Sequence, residues 1–245
     1  MPDARPRTSE RTKSLRTVPS VIAWLALLLC ATLAGCSRTV DGAPEAAARG
    51  AAPSGSIQPA QLADLLTPSS SLAVVPGRPL VEHDLQSALF VGANPAACQG
   101  VVGYGRHPLF PTNYTGREAR TQVDSVPNQH QLLEVSATYP GDFNASRFLD
   151  SVRKKVSGCQ LPVTAWGDDE RRYTVNPDQL IPGSPEVVRW TTKLSGNQWI
   201  CEFAVIAKSN VVSEIVACTA DRSIDIEALV TQRLKKIDEL LNFTV

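Results

Sequence analysis

Apolar and polar positions alternate over Gln131–Tyr139, so Leu133, Val135, Ala137 and Tyr139 line one face of an expected strand. Leu161–Trp166 and Glu186–Leu194 also read as strands. Two strong apolar runs, Trp199–Ala207 and Val211–Cys218, flank Lys208-Ser209-Asn210 and predict a tight hairpin. Elsewhere the period is helical. Ala145, Phe148, Leu149, Val152 and Val156 form one stripe between a capping Asn144 and Gly158. Arg153, Lys154 and Lys155 sit near the C-terminal end of that helix, where positive charge suits the dipole. A terminal helix runs from about Ile224 to Leu241, with Ile226, Leu229, Val230, Leu234, Ile237, Leu240 and Leu241 inward and Asp221 or Ser223 as its cap. Shorter helices are expected over Ala60–Leu66, behind Pro59, and over Val81–Phe90. Gly100–Thr121, rich in glycine, tyrosine and proline, reads as loop or irregular strand. The sum is an α+β fold, an antiparallel sheet packed with helices.

The N-terminal pattern is of another kind. Arg5, Arg7, Arg11, Lys13 and Arg16 precede an apolar run that begins at Val21 and closes on Leu33-Ala34-Gly35-Cys36. The run is too short for a spanning helix, which needs about 20 apolar residues. It looks like a bacterial lipoprotein signal peptide, residues 1–35, with Cys36 as the lipidated first mature residue. Several acyl chains on Cys36 would anchor it stably, where one holds only marginally. Residues 36–58 have almost no large apolar side chains and read as a flexible stalk. Residues 59–245 form one domain of ordinary size, long enough to bury a core. The expected location is the outer side of the cell membrane.

The chain carries 24 basic and 24 acidic residues. Cleavage before Cys36 removes five basic and two acidic ones, so the mature chain is slightly acidic. That balance, with export, gives no reason to expect a nucleic-acid partner. Cys30 is lost with the leader and Cys36 is taken by lipid, leaving Cys98, Cys159, Cys201 and Cys218. An even number in an exported chain reads as disulfides, and no CxxC knuckle suggests zinc. Of three pairings, Cys98–Cys159 with Cys201–Cys218 closes the shorter loops. In a regular hairpin the last two fall nearly opposite, with a one-residue offset left to the turn or a bulge.

Catalytic patterns are missing from the sequence. His83, His107 and His130 fall in no HExxH or other ligand-spaced motif and read as isolated surface or turn histidines. There is no GxSxG elbow and no phosphate-cradling glycine motif. Asp168-Asp169-Glu170 lacks the alternating oxygen ligands of a calcium loop. No cofactor and no metal are expected. Tyr104, Arg106, Tyr114 and Arg117 cluster in the glycine- and proline-rich stretch beside Cys98. Aromatics and arginines on such loops suit polar or glycan-like ligands through stacking and charge-assisted bonds. The same tyrosines would equally serve to pack the loop onto the sheet.

The second half carries a resemblance. Thr138-Tyr139-Pro140 leads into Ala145-x-x-Phe148-Leu149 and a helix ending at Cys159. Trp199-x-Cys201, Asn210-Val211-Val212, Ala217-Cys218 and an amphipathic helix follow. This pattern resembles the extracellular sensor-like domain of mycobacterial serine/threonine kinases of the PknH type, a domain similar to the body of several mycobacterial lipoproteins. The likeness covers most of Gln61–Leu241 and is best after Gln131. It implies a disulfide-bonded α+β domain with a cleft for an envelope ligand, first cysteine paired with second and third with fourth, and no established reaction. The chain departs from the kinases in having no kinase segment, which puts direct transmembrane signalling in doubt. The leading expectation is a ligand-binding, sensor-like envelope lipoprotein. An interaction lipoprotein with an envelope protein partner, or an envelope hydrolase with an unrecognised site, are the rivals. A deep cleft lined by Arg106, Tyr114 or Arg117 would favour the first.

Overall fold

The computed structural model describes residues 55–75, 78–83, 89–124 and 129–242. The leader, Cys36 and the stalk up to residue 54 lie outside the described residues. After a 3-10 segment, Pro59–Leu65, comes a small ribbon of β1 (Ala73–Val75) and β2 (Arg78–Pro79). The main sheet comprises β3 (Val81–Glu82), β4 (Gly92–Asn94), β5 (Gly116–Val123), β6 (His130–Thr138), β7 (Val163–Trp166), β8 (Arg172–Pro177), β9 (Val187–Leu194), β10 (Ile200–Lys208) and β11 (Val211–Thr219). Its nine strands run in the order β3-β5-β6-β11-β10-β9-β8-β7-β4, with antiparallel neighbours. The helices are α1 (Gln99–Val102), α2 (Ala145–Ser157) and α3 (Ile226–Asn242).

Side chains alternate along each strand, so the sheet has two dressed faces. On one, Leu133, Val135, Ala137, Phe203 and Val216 pack with Leu149, Val152 and Val156 of α2 and with Val101 of α1. Trp190 and Phe203 stack there with ring centroids 4.9 Å apart. On the other, Leu132, Ile206 and Ile215 pack with Leu62 and Leu65 of the 3-10 segment and with Ile226, Leu229 and Ile237 of α3. The helical stripes expected from the sequence therefore meet the two sides of one sheet. Packing begins before Pro59. Ile57 is buried, its N–H donates to Asn210 Oδ1 at 2.9 Å, and its carbonyl accepts from Asn210 Nδ2.

Both disulfides form as paired above. Cys98 and Cys159 tie the start of α1 to the end of α2, with Cα atoms 5.7 Å apart. Cys201 and Cys218 are direct cross-strand partners, 4.0 Å apart at Cα. No bulge is needed. The turn is Ser209-Asn210 alone, so Lys208 pairs with Val211 and the register carries straight to the cysteines.

Several expectations are corrected. Val81–Glu82 is strand rather than the start of a helix, and residues 84–88 lie outside the described residues. The Gly100–Thr121 stretch ends in a regular strand, because half of β5 faces solvent and shows no apolar alternation. β8 was not anticipated. Its inward side chains are only Tyr173, Val175 and Pro177, too few and too mixed to read as a strand. The α3 cap is Asp225, whose Oδ1 accepts from Ala228 N–H at 3.0 Å. Asp221 is used one turn earlier, on Ser223 N–H. Asn144 caps α2 as expected, accepting from Arg147 N–H at 2.8 Å.

Candidate functional site

Between α1 and β5 the chain crosses the α2-side of the sheet as a strap, residues 103–115. It pairs with no strand until Thr115 N–H donates to the Thr138 carbonyl. Side chains from other elements hold it instead. Tyr139 Oη donates to the Pro111 carbonyl at 3.0 Å, and Lys155 Nζ of α2 donates to the Pro108 carbonyl. Tyr104 is 8% exposed and its hydroxyl donates to the Glu134 carbonyl. Burial pushes that hydroxyl well above the ordinary phenol range, and nearby Glu214 adds to the shift. Gly105 follows at φ +58°, and a Cβ there would meet Arg117 Nη2 at 3.1 Å. Glycine suits both the left-handed backbone and the tight fit.

Beneath the strap lies Glu214, at the middle of β11 and fully buried. Its Oε2 accepts from Gly105 N–H at 2.8 Å. Its Oε1 has no hydrogen-bond partner among the described residues. Burial raises the carboxyl from an ordinary 4.5 to about 8, against the smaller opposing effects of the Gly105 bond and Arg117. The magnitudes explain the direction. One hydrogen bond to a charged group contributes about 1.5–3 kcal/mol net, whereas desolvating an ion costs several. Burial therefore favours the neutral form of Glu214.

The opposite face holds a second buried polar cluster. Arg233 of α3, 3% exposed, reaches Glu134 Oε1 of β6 at 2.5 Å and also donates to Ser136 and Ser213. Thr67 completes it, with N–H and Oγ1 donating to the Glu134 carboxylate at 3.0 and 2.8 Å. Burial lowers the Arg233 pKa, and Glu134 works against that. At the far end of β6, His130 is buried, with Nδ1 2.6 Å from Asp124 Oδ2 and Nε2 3.4 Å from Asp221 Oδ1. This corrects its reading as a surface histidine. His83 and His107 are exposed. Among the described residues, no group of three or more His, Cys, Asp or Glu could hold a metal. Asp168-Asp169-Glu170 is an exposed turn in which Asp169 pairs with Arg171.

The four loop residues singled out in the sequence divide. Tyr104 packs the strap down. Arg106 is half-buried, while Tyr114 and Arg117 are exposed on the segment entering β5. Burial raises the Tyr139 hydroxyl, with a smaller rise from Tyr114 and an opposing effect from Arg117. A separate groove of about 200 Å³ lies between Arg153 of α2, Leu180–Ser184 and the start of β9.

The family described as the PknH-like extracellular domain matches residues 57–236. The chain belongs to that family. The crystal structure of the extracellular domain of PknH from Mycobacterium tuberculosis has a similar fold, at 20% identity and a TM-score of 0.63. The similarity covers 78% of this chain and all of that one. A comparison with curated protein sequences returns no match.

The family takes its description from the extracellular part of PknH, not from its kinase domain. Its extracellular description agrees with an extracytoplasmic location. Among the described residues no helix is long and apolar enough to cross a membrane. Glu134, Glu214 and Arg233 were missed by sequence reasoning, although each left a signal. Each glutamate falls among strong apolar residues of its strand, between Leu133 and Val135 in β6 and before Ile215-Val216 in β11. Arg233 falls within the inward stripe of Ile226, Leu229, Val230, Ile237 and Leu240.

Proposed function

We propose that the chain is a lipid-anchored, extracytoplasmic binding protein whose PknH-like domain takes a polar, glycan-like envelope ligand at the outer end of the strap. The observation that carries this is the division of labour along residues 103–117. Tyr104 fixes the loop to the sheet, while Tyr114 and Arg117 remain exposed and Arg106 is half-buried. A held loop presenting an aromatic ring and guanidinium groups loses little entropy when it binds. Native mass spectrometry of the detergent-extracted full chain against an envelope extract tests it. A small ligand should be retained, and Arg117→Ala or Tyr114→Ala should each weaken its binding by about tenfold or more, the equivalent of one lost charged hydrogen bond. Recovery of only a protein partner would replace this reading with an interaction module.

The anchor is assigned to Cys36, from the lipobox and the polar stalk behind it. Mass analysis of the membrane-associated protein should find an acylated N-terminal cysteine. Cys36→Ala should block both lipidation and normal leader removal. An unlipidated mature start elsewhere would remove the anchor from the proposal.

A further inference from the structure

Glu214 is used by neither the anchor nor the rim. It sits on a strand paired along its whole length to β6 and β10, so the strand cannot yield. The strap can. Before Thr115 it has no ladder partner, and its Gly105 N–H is what contacts the carboxyl. We propose that Glu214 is a proton-controlled latch, holding the Gly103–Phe110 part of the strap closed while its carboxyl is neutral and releasing it on ionisation.

The physical reason is the orphaned oxygen. A neutral carboxyl accepts from Gly105 N–H and leaves only one O–H to place, a smaller cost than an unsolvated charge. A carboxylate in the same place has one donor and a second oxygen without any, among the described residues. Lifting Gly105 admits water to both oxygens and opens the way for Arg117, which already lies against Gly105. The other charged and titratable groups facing this site are few. Tyr104 on the strap and Tyr139 at the end of β6 are both pushed up by burial and stay neutral through the range. Arg117 on β5 opposes the rise of Glu214. Arg106 and His107 ride on the strap itself. Lys155 of α2 tethers the Pro108 carbonyl and has its pKa lowered by burial, so it is the competing source of any pH effect. The latch stands apart from the ligand reading and holds whether or not the rim binds anything.

The sign follows from linkage. The folded value lies above the ordinary one, so the closed strap is fully favoured below about 4.5 and loses that advantage as pH rises through about 8. Hydrogen exchange of the full chain in detergent, corrected for intrinsic exchange, reads this directly. In the native chain, opening of the peptide covering Gly103–Phe110 should increase about tenfold per pH unit toward the midpoint and level off above it. Glu214→Gln keeps a carbonyl for Gly105 and should abolish the slope. Lys155→Met should leave it in place. A flat native profile overturns the latch, as does a slope that survives in Glu214→Gln or disappears in Lys155→Met. If Glu214→Gln does not fold, the native chain and Lys155→Met still decide, because a flat native profile, or a slope lost in Lys155→Met, overturns the latch.

Discussion

Arg233→Met should destabilise the domain by about 3–5 kcal/mol, the loss typical when one member of a buried ion pair is removed. The magnitude comes from what is left behind. Glu134 is 0% exposed and would keep only Thr67 as a donor. Ser136 and Ser213 would retain each other, at 2.8 Å, so they add little to the loss. The methionine itself fits an apolar neighbourhood, which separates lost pairing from lost packing. Pairing it with Glu134→Leu should recover most of the stability, since an apolar pair of similar volume avoids both desolvation costs. Urea titration of the four chains of this double-mutant cycle measures the coupling. A single variant that costs under about 1 kcal/mol would mean that α3 is held by its apolar stripe alone.

The two disulfides should differ in a way their loop lengths only partly explain. Chain entropy gives about 4 kcal/mol for the 61-residue separation of Cys98 and Cys159, and about 3 for the 17-residue separation of Cys201 and Cys218. The shorter link joins residues that nine cross-strand pairs already hold in register. The longer one joins a turn to a helix end that no ladder connects. Cys98→Ala/Cys159→Ala is therefore expected to cost about 4 kcal/mol and to loosen α1 and the strap behind it. Cys201→Ala/Cys218→Ala should cost less than its entropy estimate. Denaturant midpoints of the two double variants check the order, and the reverse ranking would place the sheet's cohesion in the hairpin link.

How much of this was legible in the sequence depended on whether one side of an element met water. β6, β10, β11, α2 and α3 bury a strong stripe, and their positions could be read within a residue or two. β5 and β8 face solvent along much of their length, and their apolar content was too thin to announce them. The cap of α3 was misplaced because Asp221, Ser223 and Asp225 are all capable residues within one turn, and only geometry chooses. The candidate site was half legible. Residue type located the loop, but could not tell Tyr104, which is spent on the Glu134 carbonyl, from Tyr114, which is not. Glu214 was invisible as a partner of Gly105 because 109 residues separate them.

The two-residue turn at Ser209-Asn210 limits how sequences with this fold can drift. β11 faces both layers at once, with Glu214, Val216 and Cys218 turned one way and Ser213, Ile215 and Ala217 the other. A one-residue slip of β11 along its partners would exchange these sets across the whole strand. Cys218 would leave Cys201, Glu214 would move under α3, and Ile215 would move under the strap. A slip of two residues preserves the parity and only slides the pairing. An added residue in the turn must therefore be taken up by a wider loop or a bulge that leaves the pairing in place, because the buried sets on both faces pin β11 against its partner.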